Sequence, residues 1–116
     1  MTHPLQAVLE QVGPSSCPTT HNFHCHTVCS DGSLEPLELI QQATERGLKH
    51  LAVTDHHSSH AHREIQVWLD QQRASGVEVP MVWSGMEISA LLKGCLVHVL
   101  ALGFELNHPA LQPYNR

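Results

Sequence analysis

The residues in this chain best suited to chemistry are two histidines separated by one position, His24 and His26. Side chains two apart on a β-strand point to the same face, so on a strand these imidazoles would stand side by side, with Cys25 on the opposite face. Two neutral imidazoles on one face can chelate a divalent metal ion. The pair alone is also compatible with two histidines that bind no metal, so residues elsewhere in the chain are needed to distinguish the two interpretations.

Three later segments place metal-binding residue types in or at the end of strand-like apolar runs. Asp55 and His56 follow one run, Glu87 lies in a second, and His98 lies inside a third. Carboxylates and imidazoles together suit zinc, iron or manganese. Glu87 alone could be a solvated carboxylate at a strand end, and His98 a satisfied core histidine. The four segments together favour a metal centre.

In this order, the segments resemble the PHP family, the polymerase-and-histidinol-phosphatase group of metal-dependent phosphoesterases. The resemblance covers about residues 20–110. The matching segments are His24-x-His26-Thr27 followed by Ser30-Asp31-Gly32, then Ala52-Val53-Thr54-Asp55-His56, then Gly85-x-Glu87-Ile88-Ser89, and last Val97-His98-Val99-Leu100-Ala101-Leu102-Gly103-Phe104.

The resemblance implies an α/β fold, the N-terminal part of a distorted PHP-type β/α barrel similar to a TIM barrel. The family's later ligands, a further histidine and an Asp-x-His pair, have no counterpart after His98, and an ordinary eight-stranded barrel takes roughly 250 residues. We therefore expect residues 1–19 to form an N-terminal helix and linker, and residues 20–116 a partial PHP domain. A half barrel exposes strand edges and apolar surface, which predicts a homo-oligomer or a missing C-terminal half.

The resemblance also implies a site for two or three divalent ions, which could be zinc, iron or manganese. His24 and His26 would bind one ion. Glu87 would bridge from that ion to a second, because its two carboxylate oxygens can serve two cations. His98 would bind the second ion.

A third metal position would involve His56, with Asp31 as a weaker candidate nearby. Asp55 would orient a neighbouring ligand rather than bind an ion itself. The residues predicted to take part in catalysis are therefore Glu87, Asp55 and Asp31.

The expected activity is hydrolysis of a phosphomonoester or a nucleotide phosphate by a metal-activated water, so the expected partner is a small phosphorylated substrate or nucleotide. The alternative is a truncated, non-catalytic metal-binding or assembly module derived from such an enzyme, which the missing later ligands favour. A third interpretation is an accessory role in nucleic-acid processing, since PHP domains also occur beside polymerases.

Composition narrows these alternatives. The chain has 116 residues, of which 41% are hydrophobic, enough for one domain with a core. A net charge of −5 argues against independent nucleic-acid binding. The first residues lack the basic segment of a secretory leader, and no apolar run is long enough for a membrane helix, so neither a secretory signal nor a membrane span is expected. The four cysteines form no Cys-x-x-Cys pair, so free thiols in the cytoplasm are expected.

Hydrophobic periodicity predicts a β-α-β-α-β order around these residues. Pro36 is predicted to open one helix and Gly47 to cap it. His60 and His62 are expected to open the next helix rather than to bind metal, and the role of His57 is left open. The predicted elements are a short helix over 4–12, strands over about 20–27, 50–54, 81–88 and 95–102, and helices over about 36–46 and 60–74.

Two arrangements of the later strands remain compatible with the sequence. A continuous alternation of strands and helices favours a parallel sheet. Lys93-Gly94 also marks a tight turn, across which the last two strands could pair as an antiparallel hairpin.

Overall fold

The structure is a computed structural model that describes residues 3–115. The described chain has mixed α/β architecture. In chain order its elements are α1 (Pro4–Glu10), β1 (His21–Cys25), α2 (Pro36–Glu45), β2 (His50–Val53), α3 (His60–Ala74), β3 (Met81–Trp83), β4 (Gly85–Leu92), β5 (Cys95–Leu102) and a C-terminal 3-10 helix (Pro109–Tyr114).

Strands β1, β2 and β3 form a parallel sheet in that order. Helix α2 connects β1 to β2, and α3 connects β2 to β3, so the sheet consists of two successive β-α-β units. The predicted β-α-β-α-β order is therefore confirmed. All three carboxyl ends lie at one edge of the sheet, which is where ligands bind in α/β proteins.

The hydrophobic core lies between the central strand and both helices. Leu51 and Val53 are two positions apart on β2 and therefore face the same side. The core residues packed there are buried and come from both helices and the strand: Ile40, Ala43, Leu51, Val53, Ala61, Ile65 and Leu69.

The ends of α2 follow local sequence signals. Pro36 occupies the first turn, and Glu35 and Glu38 form a capping box around it. Gly47 follows the helix with φ of +74°, a left-handed conformation that glycine adopts without steric cost. Helix α1 ends at Glu10 rather than at residue 12, because the N–H groups of Gln11 and Val12 donate to carbonyls three residues earlier and the last turn tightens instead of continuing the α-helix.

Two strand predictions were wrong in extent. Strand β1 ends at Cys25 instead of residue 27, because the N–H of Thr27 donates to the Asp55 carboxylate at 2.6 Å and no longer follows the sheet. His26 therefore lies just beyond the strand. The segment predicted as one strand over 81–88 is divided between β3 and β4, which belong to different sheets.

Gly85 explains why this segment is divided between β3 and β4. It crosses the end of β2 so closely that an added Cβ would lie 2.6 Å from the carbonyl oxygen of Val53 and 2.8 Å from Cγ2 of Thr54. Only a residue without a side chain allows this approach, and the chain leaves the parallel sheet at this point.

Strands β4 and β5 form an antiparallel hairpin across Lys93 and Gly94, which both have positive φ. Both arrangements compatible with the sequence thus occur, in different parts of the chain. Within residues 3–115 the strands do not close a barrel. No helix in the described part of the chain has the length and apolar character needed to cross a membrane. The outer part of the hairpin exposes several large apolar side chains, namely Leu91, Leu92, Leu96 and Val99.

Candidate metal centre

Six predicted ligands meet at the carboxyl edge of the parallel sheet. They come from the end of β1, the loop after it, the loop after β2, and the two arms of the hairpin. We call this group the His–carboxylate cluster, and its members are His24, His26, Asp31, His56, Glu87 and His98.

Glu87 lies at the middle of the His–carboxylate cluster, and its side chain is only 7% exposed. Its Oε1 lies 2.7 Å from Nε2 of His24 and 3.1 Å from Nε2 of His26. Its Oε2 lies 3.5 Å from Nδ1 of His56 and 3.4 Å from Nδ1 of His98. The two oxygens therefore face two different pairs of imidazoles.

Asp31 joins two of the histidines from the solvent side. Its Oδ1 lies 2.6 Å from Nδ1 of His26, and its Oδ2 lies 3.1 Å from Nε2 of His56. A carboxylate bonded to one ring nitrogen fixes which tautomer the ring adopts. Here the bond to Nδ1 leaves Nε2 of His26 directed at Glu87.

Both carboxyl groups are held in the ionised form. Burial raises the pKa of Glu87, but the hydrogen bond from His24 and the charges of His56, His24 and His26 together lower it below its usual value. The hydrogen bond with His26 lowers the pKa of Asp31. Both groups therefore carry negative charge at neutral pH, as cation ligands must.

The main chain fixes Glu87 between two residues that follow β2. Its N–H donates to the carbonyl of Asp55 at 3.0 Å, and its carbonyl accepts from the N–H of His57 at 3.0 Å. These bonds make an isolated parallel bridge between His56 and Glu87, which joins the hairpin to the parallel sheet.

Asp55 lies behind the His–carboxylate cluster rather than within it. Its buried carboxylate accepts hydrogen bonds from the N–H of Thr27 at 2.6 Å, the hydroxyl of Thr27 at 2.7 Å and the hydroxyl of Ser30 at 2.6 Å. Asp55 therefore fixes the loop that carries His26 and Asp31, and each of its carboxylate oxygens accepts at least one hydrogen bond from that loop.

Sequence reasoning did not assign roles to several residues that shape the site. Ser89 Oγ lies 3.0 Å from Nδ1 of His98. Gly32 packs against the main chain of His26, where an added Cβ would collide with the His26 carbonyl. Ser89 could have been found from strand alternation, which puts it on the same face as Glu87.

The ring nitrogens of His57 and His62 contact groups outside the His–carboxylate cluster. His60 and His62 occupy the first turn of α3, as predicted. His62 is buried, and its Nε2 lies 2.8 Å from the carbonyl oxygen of Val53 and 3.1 Å from the nitrogen of Gly85. His57 accepts a hydrogen bond from the N–H of Ser89 at 3.2 Å.

The donor set fits a divalent metal ion. Ligand atoms of His24, His26 and Glu87 all lie within 4.8 Å of one another, and so do those of His26, Asp31 and His56. Neutral imidazoles combined with ionised carboxylates are the ligands of zinc, iron and manganese sites. The two groups share His26, so they form one continuous centre.

Residues 22–107 match the family model described as the PHP domain. The matched range contains every member of the His–carboxylate cluster. The chain is also similar to curated proteins and to solved structures.

One relative is a 5'-3' exoribonuclease of Haemophilus influenzae, 32% identical over 78% of this chain and 31% of that protein. Another is a phosphoribosyl 1,2-cyclic phosphate 1,2-diphosphodiesterase of Eggerthella lenta, 36% identical over 78% of this chain and 33% of that protein. A solved structure from Bifidobacterium adolescentis, described as a metal-dependent phosphoesterase, matches with a TM-score of 0.68 and 29% identity, covering 83% of this chain and 32% of that chain. The chain thus spans about a third of the length of these proteins.

Proposed function

We propose that this chain, which belongs to the PHP domain family, provides the His–carboxylate cluster of a metal-dependent enzyme that hydrolyses a phosphomonoester or a nucleotide phosphate. The observation that carries the proposal is the position of Glu87, whose two oxygens face two different pairs of imidazoles. A carboxylate in that position can serve two cations at once.

The cluster divides into three metal positions in this proposal. His24 and His26 would hold one ion together with Glu87, and Glu87 and His98 would hold a second. His56 and Asp31 would provide a third position, next to His26. Zinc, iron or manganese ions bound there would polarise a phosphoryl group and lower the pKa of a water molecule for attack on phosphorus.

The protein's own groups prepare the site for a phosphate. Glu87 is shielded, whereas the side chains of His24 and His98 are 58% and 51% exposed, so a substrate can approach from their side. Asp31 fixes the ring of His26 through Nδ1. Asp55 holds the loop that carries both. These contacts keep the ligands in place before a substrate binds.

The substrate class proposed is a small phosphorylated molecule or a nucleotide. The relatives named above act on RNA ends and on a phosphoribosyl cyclic phosphate, which favours a nucleotide-like phosphoester. The net charge of −5 disfavours an extended nucleic-acid surface on this chain, because affinity for nucleic acid depends chiefly on basic residues that contact phosphates. Residues 20–116 would form the partial PHP domain and residues 1–19 an appended segment.

Metal content measured together with hydrolysis tests the proposal. Native protein should bind two or three divalent ions per chain, about the number that such a site needs, by elemental mass spectrometry, and should cleave p-nitrophenyl phosphate or a 5'-phosphorylated dinucleotide. Glu87→Gln removes the shared charge and should lower both metal content and rate. Glu64→Gln, at an exposed position on α3, is the matched control and should change neither.

The alternative, a non-catalytic metal-binding or assembly module, predicts a different pattern. Native protein would then bind metal, and lose it in Glu87→Gln, without hydrolysing either substrate under any metal loading. Hydrolysis by native protein that is unchanged in Glu87→Gln would contradict the role proposed for Glu87.

A further inference from the structure

We propose that His57 is a positioning residue whose imidazole continues the main-chain ladder past the end of β2 and thereby holds the hairpin ligands in place. The inference rests on the proposed function, because the ligands it positions are those of the proposed metal centre. His57 itself does not bind metal in this proposal, although it directly follows His56.

The hydrogen bonds along the edge of β4 show where the ring acts. Glu87 N–H donates to the carbonyl of Asp55, and the N–H of His57 donates to the carbonyl of Glu87, both at 3.0 Å. The next N–H along this edge of β4 belongs to Ser89. It donates at 3.2 Å to Nε2 of the His57 ring instead of to a main-chain carbonyl.

The backbone conformation of His57 explains why its ring, rather than its main-chain carbonyl, accepts this hydrogen bond. Its φ is +48°, in the left-handed region that non-glycine residues rarely adopt. An extended strand does not continue through a residue in this conformation, and α3 begins three residues later, at His60. The ladder would therefore end at Glu87 if the imidazole did not supply the next acceptor. A rare conformation that persists beside a site points to a role there.

Both nitrogens of the His57 ring are occupied by the protein. Nε2 accepts from Ser89, so it carries no proton. Nδ1 lies 3.1 Å from the carbonyl oxygen of Tyr114 and donates to it, which links the C-terminal 3-10 helix to the same ring. A ring with both nitrogens engaged in this way has no free lone pair for a metal ion.

Ser89 connects the His57 ring to two of the proposed metal ligands, Glu87 and His98. It lies two residues after Glu87 on the same face of β4, and it is directly opposite His98 in the hairpin. Its hydroxyl lies 3.0 Å from Nδ1 of His98. Fixing the N–H of Ser89 therefore fixes the arm that carries Glu87 and the contact that orients His98.

Three variants separate the contribution of the His57 ring from that of its backbone conformation. His57→Gly keeps the left-handed backbone accessible and removes the ring. His57→Gln restores an acceptor near the position of Nε2. Lys93→Gly is the matched control, because Lys93 has a similar φ of +51° at the hairpin turn, remote from the ligands.

Affinity for Mn²⁺ is measured by calorimetry, together with hydrogen exchange of the Ser89 amide and urea unfolding of the metal-free protein. His57→Gly should weaken Mn²⁺ binding about 10- to 100-fold, as removal of groups that orient metal ligands does. Exchange at Ser89 should become roughly fivefold faster, the factor for loss of one hydrogen bond. His57→Gln should recover most of the affinity, and Lys93→Gly should match native protein.

Mn²⁺ affinity that is unchanged in His57→Gly, while native protein binds the metal, would overturn the positioning role and leave the proposed function intact. Equal losses in His57→Gly and His57→Gln, in proportion to a loss of stability, would also overturn it and indicate a structural role only. If native protein binds no divalent metal, the proposed function fails and the positioning role fails with it.

Discussion

Asp55 accepts hydrogen bonds from both the N–H and the hydroxyl of Thr27, at 2.6 and 2.7 Å, and both residues are buried. Beyond the end of β1, the N–H of Thr27 thus donates to the Asp55 carboxylate instead of to a neighbouring strand. The loop after β1 takes its path from a residue at the end of β2, so the ligands on these two segments are positioned together.

Asp55→Asn should therefore destabilise the protein. An amide offers one acceptor oxygen in place of two, so at least one buried donor among Thr27 and Ser30 loses its partner. We expect the free energy of unfolding to fall by about 2 kcal/mol, measured by urea denaturation. Ser30→Ala, which removes one donor and leaves the other two bonds, should cost less. A native-like stability for Asp55→Asn would contradict the assigned role of the carboxylate.

Gly85→Ala should damage both the fold and the site. Its Cβ would meet the main chain of Val53, so the start of β4 would have to move, and with it Glu87. Overpacking of this kind costs about 1–3 kcal/mol, and we expect weaker Mn²⁺ binding as well. Gly13→Ala is the control, since an added Cβ there meets no atom within 4 Å. Equal stability of both variants would show that the crossing tolerates a side chain.

Cys25 should react far more slowly than the other thiols. Burial, assisted by the charge of Asp55, raises the pKa of Cys25 to about 12, whereas Cys17, Cys29 and Cys95 are exposed. The thiolate is the reactive form. Iodoacetamide labelling at pH 8, followed by peptide mass spectrometry, should modify the three exposed cysteines first. In urea all four should react alike; labelling of Cys25 at the same rate in native protein would be inconsistent with this environment.

His62 should make stability depend on pH. Burial lowers the pKa of His62 below the ordinary value of 6.5, so below pH 6.5 the unfolded chain binds a proton that the folded chain excludes. The contribution of His62 is complete above pH 6.5 and is lost as pH falls towards the lowered pKa of the folded state. One group changes the free energy of unfolding by at most about 1.4 kcal/mol per pH unit.

Urea unfolding of native protein and His62→Gln at pH 7, 6 and 5 tests this dependence. Glutamine provides one donor and one acceptor near Val53 and Gly85 but cannot take up a proton. The loss of stability between pH 7 and pH 5 should be smaller in the variant. Parallel losses in the two proteins would assign the acid sensitivity to other groups.

A bound cation should stabilise the fold, because the ligands come from separate segments that unfolding would part. At a free Mn²⁺ concentration of 100 times the dissociation constant, the gain is about 2.7 kcal/mol. Urea midpoints with Mn²⁺ and with EDTA should differ in native protein and much less in Glu87→Gln. Identical midpoints in native protein would argue against a metal centre in this chain.

Much of this site follows from local sequence signals. Pro36 and Gly47 delimit α2, and β5, which carries His98, spans the residues that its apolar run predicts. The strands that carry His24 and Glu87 are predicted in place but not in extent. The turn at Lys93-Gly94 even defines the hairpin register, in which Ser89 is opposite His98. Proximity of these ligands is a consequence of strand ends meeting at one edge of a sheet.

Features that depend on contacts between distant segments could not be predicted in this way. The early end of β1 results from the bonds between Thr27 and Asp55, and the break before β4 results from the approach of Gly85 to Val53. The sequence offers Asp31 only as a weaker candidate for the third metal position, yet its carboxylate contacts both His26 and His56. Loop paths of this kind are set by tertiary hydrogen bonds rather than by periodicity.

Because the hairpin forms a separate sheet, a tilt of the hairpin would displace its two ends by different distances. The hairpin joins the parallel sheet beside His56 and Glu87. Each of its arms is 8 residues long, roughly 26 Å at the usual rise per residue. A tilt of about 5° at the attachment would move its tip by roughly 2 Å over that length, but would move Glu87, beside the pivot, very little. The ligand nearest the pivot is thus the best protected from motion of the exposed leucines at the tip.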